Sequence, residues 1–163
     1  MLKVVKSDTT NARGERTIQD GILALLLNFE FNINAKLGST MFAAFSNAFD
    51  RVTGEATVNI PAFSPTVRIA APSGTTHYKI VMGAAELDFV NETSVFQNDE
   101  TAILPYDSAD TAVIDLTAGL TPNSVLPVVQ VFGIEFYQEV NGEMYPLKNG
   151  AYNALAVKIA ETV

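Results

Sequence analysis

The chain has 163 residues, a formal net charge of −8 at pH 7, and no cysteine. Hydrophobic residues make up 48% of it against 17% charged residues, which argues against intrinsic disorder and allows one domain to bury a full core. Its ten lysine and arginine residues are scattered, so nucleic acid and anionic membrane surfaces are not expected as partners. The absence of cysteine removes disulfides, thiolate catalysis and cysteine-based zinc sites.

Residues 1–27 are predicted to form an N-terminal helical segment that packs on the rest of the chain. Leu2, Val4 and Val5 precede a polar break and are typical of the last turns of a helix. A second short helix is expected over residues 16–27, where apolar side chains form one stripe. A chain that begins within a helix suggests that an upstream segment is missing.

The opening residues MLKVVK lack the apolar region of a signal peptide. The apolar run 21–27 is too short to cross a bilayer. The default expectation is therefore a cytoplasmic protein, with export as part of an assembly left open.

From residue 28 onward, apolar side chains at odd positions alternate with polar ones at even positions, as in NFEFNINAKL. Strict alternation of this length predicts a half-buried strand over residues 28–37. Further strands are predicted at 56–63, 77–90 and 112–118. In the second of these the apolar face switches at Gly83-Ala84, where a β-bulge would return the apolar side chains to the core.

The run VLPVVQVFGIEFYQEV ends at Asn141-Gly142, which is the strongest short-range signal for a β-hairpin. The pairing places Val140 opposite Glu143 and, further along, Glu135 opposite Lys148. The expected core face consists of Phe132, Ile134, Phe136, Tyr145 and Leu147. A slip of one residue would expose the phenylalanines, so the register is well specified.

Several short strands separated by turn signals, without βαβ alternation, predict an all-β fold. The expected architecture is an antiparallel β-sandwich of immunoglobulin-like character over residues 28–163. A second Asn-Gly pair, Asn149-Gly150, is expected to be a bulge or corner that carries the chain to the other sheet, because a simple hairpin there would put the bulkier following residues on the wrong face.

The sequence predicts no catalytic residue, metal ligand or cofactor. His77 is the only histidine, and no Gly-x-Ser-x-Gly elbow offers a nucleophile, so an ordinary residue at a strand end is favoured. The acidic residues Asp99, Glu100, Asp107, Asp110 and Asp115 lack the regular spacing of a calcium loop. Solvated carboxylates are favoured over a calcium site.

Exposed tyrosines could stack against sugar rings, although the chain has no tryptophan, which such platforms favour. Carbohydrate binding is therefore a weakly supported alternative. The five candidates are Tyr78, Tyr106, Tyr137, Tyr145 and Tyr152.

The stretch 128–132 is apolar on both faces, which requires a cover on both sides. That cover is either the chain's own N-terminal segment or another subunit or partner, since large apolar patches mark interfaces. The predicted interface residues are Val128, Val129, Val131 and Tyr137.

Six segments together resemble a family of uncharacterised bacterial proteins over nearly the whole chain. They are NARGERTIQDG, NFEFNINAKL, DRVTGEATVNIPAF, IAAPSGTTHYKIV, VFGIEFYQEVNG and LKNGAYNALAV. Members of that family carry a basic, glycine-containing segment ahead of the first helix, which this sequence lacks. The resemblance implies a shared module and no activity, cofactor or site residue.

The sequence thus predicts a non-enzymatic structural or protein-interaction module within a homo-oligomer or larger assembly. The alternatives are a sandwich that binds carbohydrate or an added peptide strand, and a hydrolase with an unrecognised pair of carboxylates.

Overall fold

The computed structural model describes residues 1–162, so Val163, the last residue of the predicted domain, lies outside it. Nine strands occur in this range: β1 (Ser46–Asp50), β2 (Glu55–Ile60), β3 (His77–Asp88), β4 (Thr93–Glu100), β5 (Leu104–Pro105), β6 (Ile114–Gly119), β7 (Val128–Val140), β8 (Glu143–Pro146) and β9 (Ala154–Glu161). The helices are short: α1 (Leu2–Ser7), α2 (Leu37–Thr40) and α3 (Pro65–Arg68), with 3-10 turns at Leu23–Leu26 and Leu147–Gly150.

The strands form two sheets. One has the order β1-β2-β6, and the larger has the order β4-β3-β7-β8, with β5 paired to β3 and β9 paired to β7. Every strand pairing is antiparallel, which confirms the predicted all-β antiparallel class.

The main core is built from alternate residues of both sheets. Val58 of β2 and Leu116 of β6 belong to the same buried cluster as Ile80 of β3 and Phe132 of β7. The Phe45 ring lies 4.5 Å from that of Phe132, centroid to centroid. Side chains in a strand point to alternate faces, so this inner face of β3 and β7 takes the even-numbered residues.

The hairpin at Asn141-Gly142 is confirmed, with Val140 opposite Glu143 and positive φ at both turn residues. The predicted Glu135–Lys148 pair is wrong, because β8 ends at Pro146. Lys148 and Asn149 then adopt left-handed backbone angles, with φ of 50° and 55°.

This left-handed corner returns the chain to the same sheet, where β9 replaces β8 beside β7. The expectation that Asn149-Gly150 leads to the other sheet is therefore wrong. Leu147 is buried as expected, whereas Tyr145 is 54% exposed and does not belong to the core.

The predicted β-bulge at Gly83-Ala84 is also wrong. The pairing of β3 with β7 runs without a register shift from His77 to Glu86, so Ala85 and Leu87 point to the outer face of the sheet. The inward position that follows is the buried Glu86, whose carboxylate accepts hydrogen bonds from the Thr121 amide and the Ser124 hydroxyl. The outer face is itself apolar here, so no bulge is needed.

The predicted strand over residues 28–37 is reduced to one isolated bridge, between Glu30 and Ala156 of β9. Asn28 adopts a positive φ of 60°, which asparagine tolerates well. The Asn32 side-chain amide donates to the carbonyls of Ala151 and Asn153, just before β9, so a side chain rather than the backbone makes the contact there.

The N-terminal segment contains α1 as expected, but the second helix shrinks to a single 3-10 turn at Leu23–Leu26. The segment before this turn approaches α1 closely because Gly21 has no side chain. A methyl group on Gly21 would collide with the Val4 backbone. Val4 and Leu23 pack with Val157 and Ala160 of β9 in a second, smaller cluster.

A methyl group on Gly133 should separate β7 from β9, because it would collide with the Ala154 carbonyl oxygen and lie 2.8 Å from the Leu155 side chain. We expect Gly133→Ala to lower the free energy of unfolding by about 1–3 kcal/mol, measured by urea denaturation. Gly119→Ala in β6 is the control, since its methyl group would meet open space. Equal effects of the two substitutions would contradict this packing.

Candidate functional site

The outer face of the larger sheet carries the predicted interface residues in different environments. Val128 points inward and is fully buried in the main core. Val129 and Val131 point outward and are partly covered by the second cluster, to which Leu23, Ile18 and Leu26 of the N-terminal segment belong. The chain therefore supplies part of the cover that the sequence demands. Tyr137 lies further along β7 beside polar groups, and the interface itself stays a prediction.

The N-terminal cover is fixed by Asp8, which follows α1. Its side chain is buried, and its carboxylate accepts hydrogen bonds from the amides of Thr10, Asn11 and Thr17 at 2.8–3.0 Å, and from the Asn11 side chain. Burial opposes the charge, but these four hydrogen bonds outweigh it and lower the pKa of Asp8 to about 2.

An apolar cleft of about 280 Å³ remains where the cover stops. It is lined by Met1, Leu26, Phe29, Phe31, Ala85, Leu87, Val129 and Val157. Its walls come from the N-terminal segment on one side and from β3, β7 and β9 on the other. The two phenylalanines at its rim contact each other edge to face, with their ring centroids 5.1 Å apart.

The rim continues into a row of exposed apolar side chains, which we call the apolar strip: Leu25, Leu27, Phe29, Phe31 and Ile33. Each is at least 45% exposed, and Ile33 is 94% exposed. Phe29, Phe31 and Ile33 are odd positions of the predicted strand and were expected to be buried, as Ala35 and Leu37 are.

Polar side chains at even positions of the same segment form hydrogen bonds with other parts of the chain. The Lys158 ammonium donates to the side-chain oxygen of Asn28, and the Glu30 carboxylate accepts from the Leu37 amide. Glu30 is the only charged residue between positions 21 and 35. The strip is therefore an uncharged apolar surface on a strongly acidic chain.

A polar cluster occupies the other end of the outer face. Lys79 forms ion pairs with Glu100 at 3.0 Å and Glu135 at 3.9 Å, and the Tyr137 hydroxyl donates to Glu135. Burial and the bond to Glu135 raise the pKa of Tyr137. Burial works against the Lys79 charge, but the bond to Glu100 and the surrounding negative charge raise its pKa. The single positive charge of Lys79 is thus shared by two carboxylates.

His77 lies at the start of β3, opposite Tyr137, and its Nδ1 is 2.9 Å from the Thr76 hydroxyl. The acidic residues are dispersed: the carboxylate of Asp99 accepts from the Thr117 amide, and that of Asp115 accepts from the side-chain amide of Asn59. Within residues 1–162, no three histidine, aspartate or glutamate side chains come together as metal ligands would.

Two of the five tyrosines are not available for stacking against sugar. Tyr78 is fully buried, and the Tyr106 hydroxyl donates to the Ile69 carbonyl at 3.0 Å. The Lys148 ammonium lies over the ring of Tyr152, 4.9 Å from its centroid.

A second cavity, of about 300 Å³, was not anticipated from the sequence. It lies between the loop 105–113 and the core, and Tyr78 of β3 lines it. The Tyr78 hydroxyl is buried and has no hydrogen-bond partner among residues 1–162. Burial and the charge of Asp107 raise the pKa of Tyr78 to about 12, so the hydroxyl keeps its proton. The only signal for this cavity in the sequence was a tyrosine at an inward strand position.

Comparisons with protein-family models, curated proteins and solved structures found no match to this chain. The resemblance described above stays a prediction. None of the helices within residues 1–162 has the length and apolar character that crossing a membrane requires.

The contribution of Asp8 to stability should depend on pH. Its pKa is lower in the folded state than its ordinary value of 3.8, so the stabilisation is fully present above that value and is lost as the pH falls toward 2. We expect Asp8→Asn to lower the melting temperature near pH 6 and to differ less and less from the wild type below pH 4. Glu143→Gln, at the exposed first residue of β8, is the control. A difference between wild type and Asp8→Asn that persists unchanged to pH 2 would contradict this.

The unpartnered Tyr78 hydroxyl should destabilise the fold. A buried polar group without a partner costs about 1–3 kcal/mol, so we expect Tyr78→Phe to raise the free energy of unfolding by about 1 kcal/mol. Tyr106→Phe makes the same chemical change but removes a hydrogen bond, and should lower it by about 1 kcal/mol. Urea denaturation of both variants checks the pair, and a loss of stability in Tyr78→Phe would contradict the assignment.

Proposed function

We propose that this chain is a non-enzymatic structural or interaction module that assembles into a homo-oligomer through the apolar strip and the adjoining cleft. Its core is proposed to be an antiparallel β-sandwich of immunoglobulin-like character. The sandwich is supported by the shared core of the two sheets and by the bond from the Thr117 amide of β6 to Asp99 of β4.

The observation that carries the proposal is the mismatch between pattern and exposure in residues 25–33. Alternation of apolar and polar residues is typical of a segment with one face buried. In the single chain the polar positions bond inward, while Phe29, Phe31 and Ile33 face solvent. Large apolar side chains exposed in one short segment, two of them in contact with each other, favour a contact with another chain.

The net charge opposes contact between two copies except where the surface is uncharged, as it is along the strip. Each copy carries a formal net charge of −8, so two copies repel one another over most of their surface. The strip has no outward-facing charge, since Glu30 bonds to the Leu37 amide. Two copies related by a two-fold axis could bury the same strip against itself, which needs only one complementary surface.

The cleft extends the contact surface. Met1 and Leu26 on one wall and Val129 on the other leave an apolar opening beside Phe29. A phenylalanine from a second copy could enter it, as large aromatic side chains anchor the centres of protein interfaces.

A charge in the strip should prevent assembly. We expect the full wild-type chain to show a mass above that of the monomer in sedimentation velocity, falling on dilution. Ile33→Asp should weaken association by at least about tenfold, because it would place two like charges near the two-fold contact. The Ile33 side chain is almost fully exposed in one copy, so the fold of the monomer should be unaffected.

Val67→Asp is the matched control, since Val67 in α3 is also highly exposed, at 70%, and lies outside the strip. It should leave the mass distribution unchanged. A wild-type chain that stays monomeric at every concentration, or equal effects of the two substitutions, would overturn self-association through the strip.

A further inference from the structure

The cavity beneath the loop 105–113 is held in shape by hydrogen bonds from several directions. The Thr66 amide donates to the Asp107 carbonyl. The Thr111 amide donates to the Phe63 carbonyl, and the Phe63 amide donates to the Thr111 hydroxyl. Closer to β5, the Tyr106 amide donates to the Thr76 carbonyl. These bonds pin the loop over the end of the core, so the cavity is preformed.

The lining of this cavity combines apolar side chains with a few polar ones. Leu104, Ala112 and Ile114 are among the apolar residues that line it. Tyr78 lines it as well, and its hydroxyl is the buried group that finds no partner within residues 1–162. Buried hydroxyls in proteins are almost always hydrogen-bonded, so a hydroxyl that finds no protein partner beside a cavity favours a polar molecule within that cavity.

The charges on the lining are both negative. Asp107 and Asp110 belong to it, and the Asp107 carboxylate acts on the Tyr78 hydroxyl strongly enough to influence its ionisation. Negative potential around an apolar cavity favours a ligand that is positively charged and opposes an anion. A volume of about 300 Å³ is at the lower end of the range for small-molecule pockets.

We propose that this cavity binds a small organic cation with an apolar body, whose ammonium group donates hydrogen bonds to the Tyr78 hydroxyl oxygen and the Asp107 carboxylate. The apolar body packs against Leu104 and Ile114. The site shares no residue with the apolar strip or its cleft, so it stands independently of self-association.

Benzylamine is a suitable probe, with benzyl alcohol and benzoate as neutral and anionic molecules of similar size. Each is titrated into the full chain and followed in two-dimensional amide NMR spectra. Benzylamine should shift the amides of residues 107–112 in a saturable way, benzyl alcohol should bind at least tenfold more weakly, and benzoate should cause no saturable shift.

Two variants test the contacts. Tyr78→Phe and Asp107→Asn should each weaken benzylamine binding at least tenfold, whereas Asp115→Asn, an exposed carboxylate of β6 outside the cavity, should leave it unchanged. The proposal is overturned if benzylamine causes no saturable shift, if all three probes bind alike, or if Tyr78→Phe binds as tightly as the wild type. Asp107 is exposed, so its variant should fold.

Discussion

The ladder between β3 and β7 is the constraint on which the rest of the structure depends. These two strands lie at the centre of the larger sheet, and their pairing continues from His77–Tyr137 to Glu86–Val128. At the Val128 end both faces of the pair are apolar. A sheet with two apolar faces needs a layer on each side, and the smaller sheet supplies only one of them.

The second layer is assembled from short pieces. The α1 helix and the 3-10 turn at Leu23–Leu26 cover Val131 and Ala160, and the carboxylate of Asp8 fixes the turns that join them. This layer is narrower than the sheet beneath it. Where it ends, the cleft opens and the apolar strip begins, so the exposed apolar surface is a direct result of an incomplete cover over a two-sided sheet.

Local signals in the sequence predicted the elements that depend on neighbouring residues. Asn141-Gly142 specified its hairpin because the left-handed turn it forms needs no distant contact. Elements that depend on distant packing were predicted less well. The switch of apolar face in β3 was interpreted as a bulge because periodicity cannot reveal that both faces of the sheet are apolar at this end. Glu135 paired with Lys79 rather than Lys148, since a left-handed corner ended β8 early.

The candidate sites also depend on distant packing, which the sequence pattern does not reveal. The apolar residues that the alternation groups together in residues 28–37 fall into two environments: Ala35 and Leu37 are buried in the main core, whereas Phe29, Phe31 and Ile33 are exposed in the single chain. The backbone of this segment forms one isolated bridge with β9. Tyr78 shows the opposite case. Its ring is buried as the pattern predicts, but its hydroxyl has no hydrogen-bond partner within residues 1–162, which the pattern could not reveal. A pattern of apolar residues indicates which side chains favour burial, whereas the structure of one chain shows which of them that chain buries by itself. Ile33 is apolar by pattern and exposed in the fold, and this difference is the basis for the proposed association with a second copy.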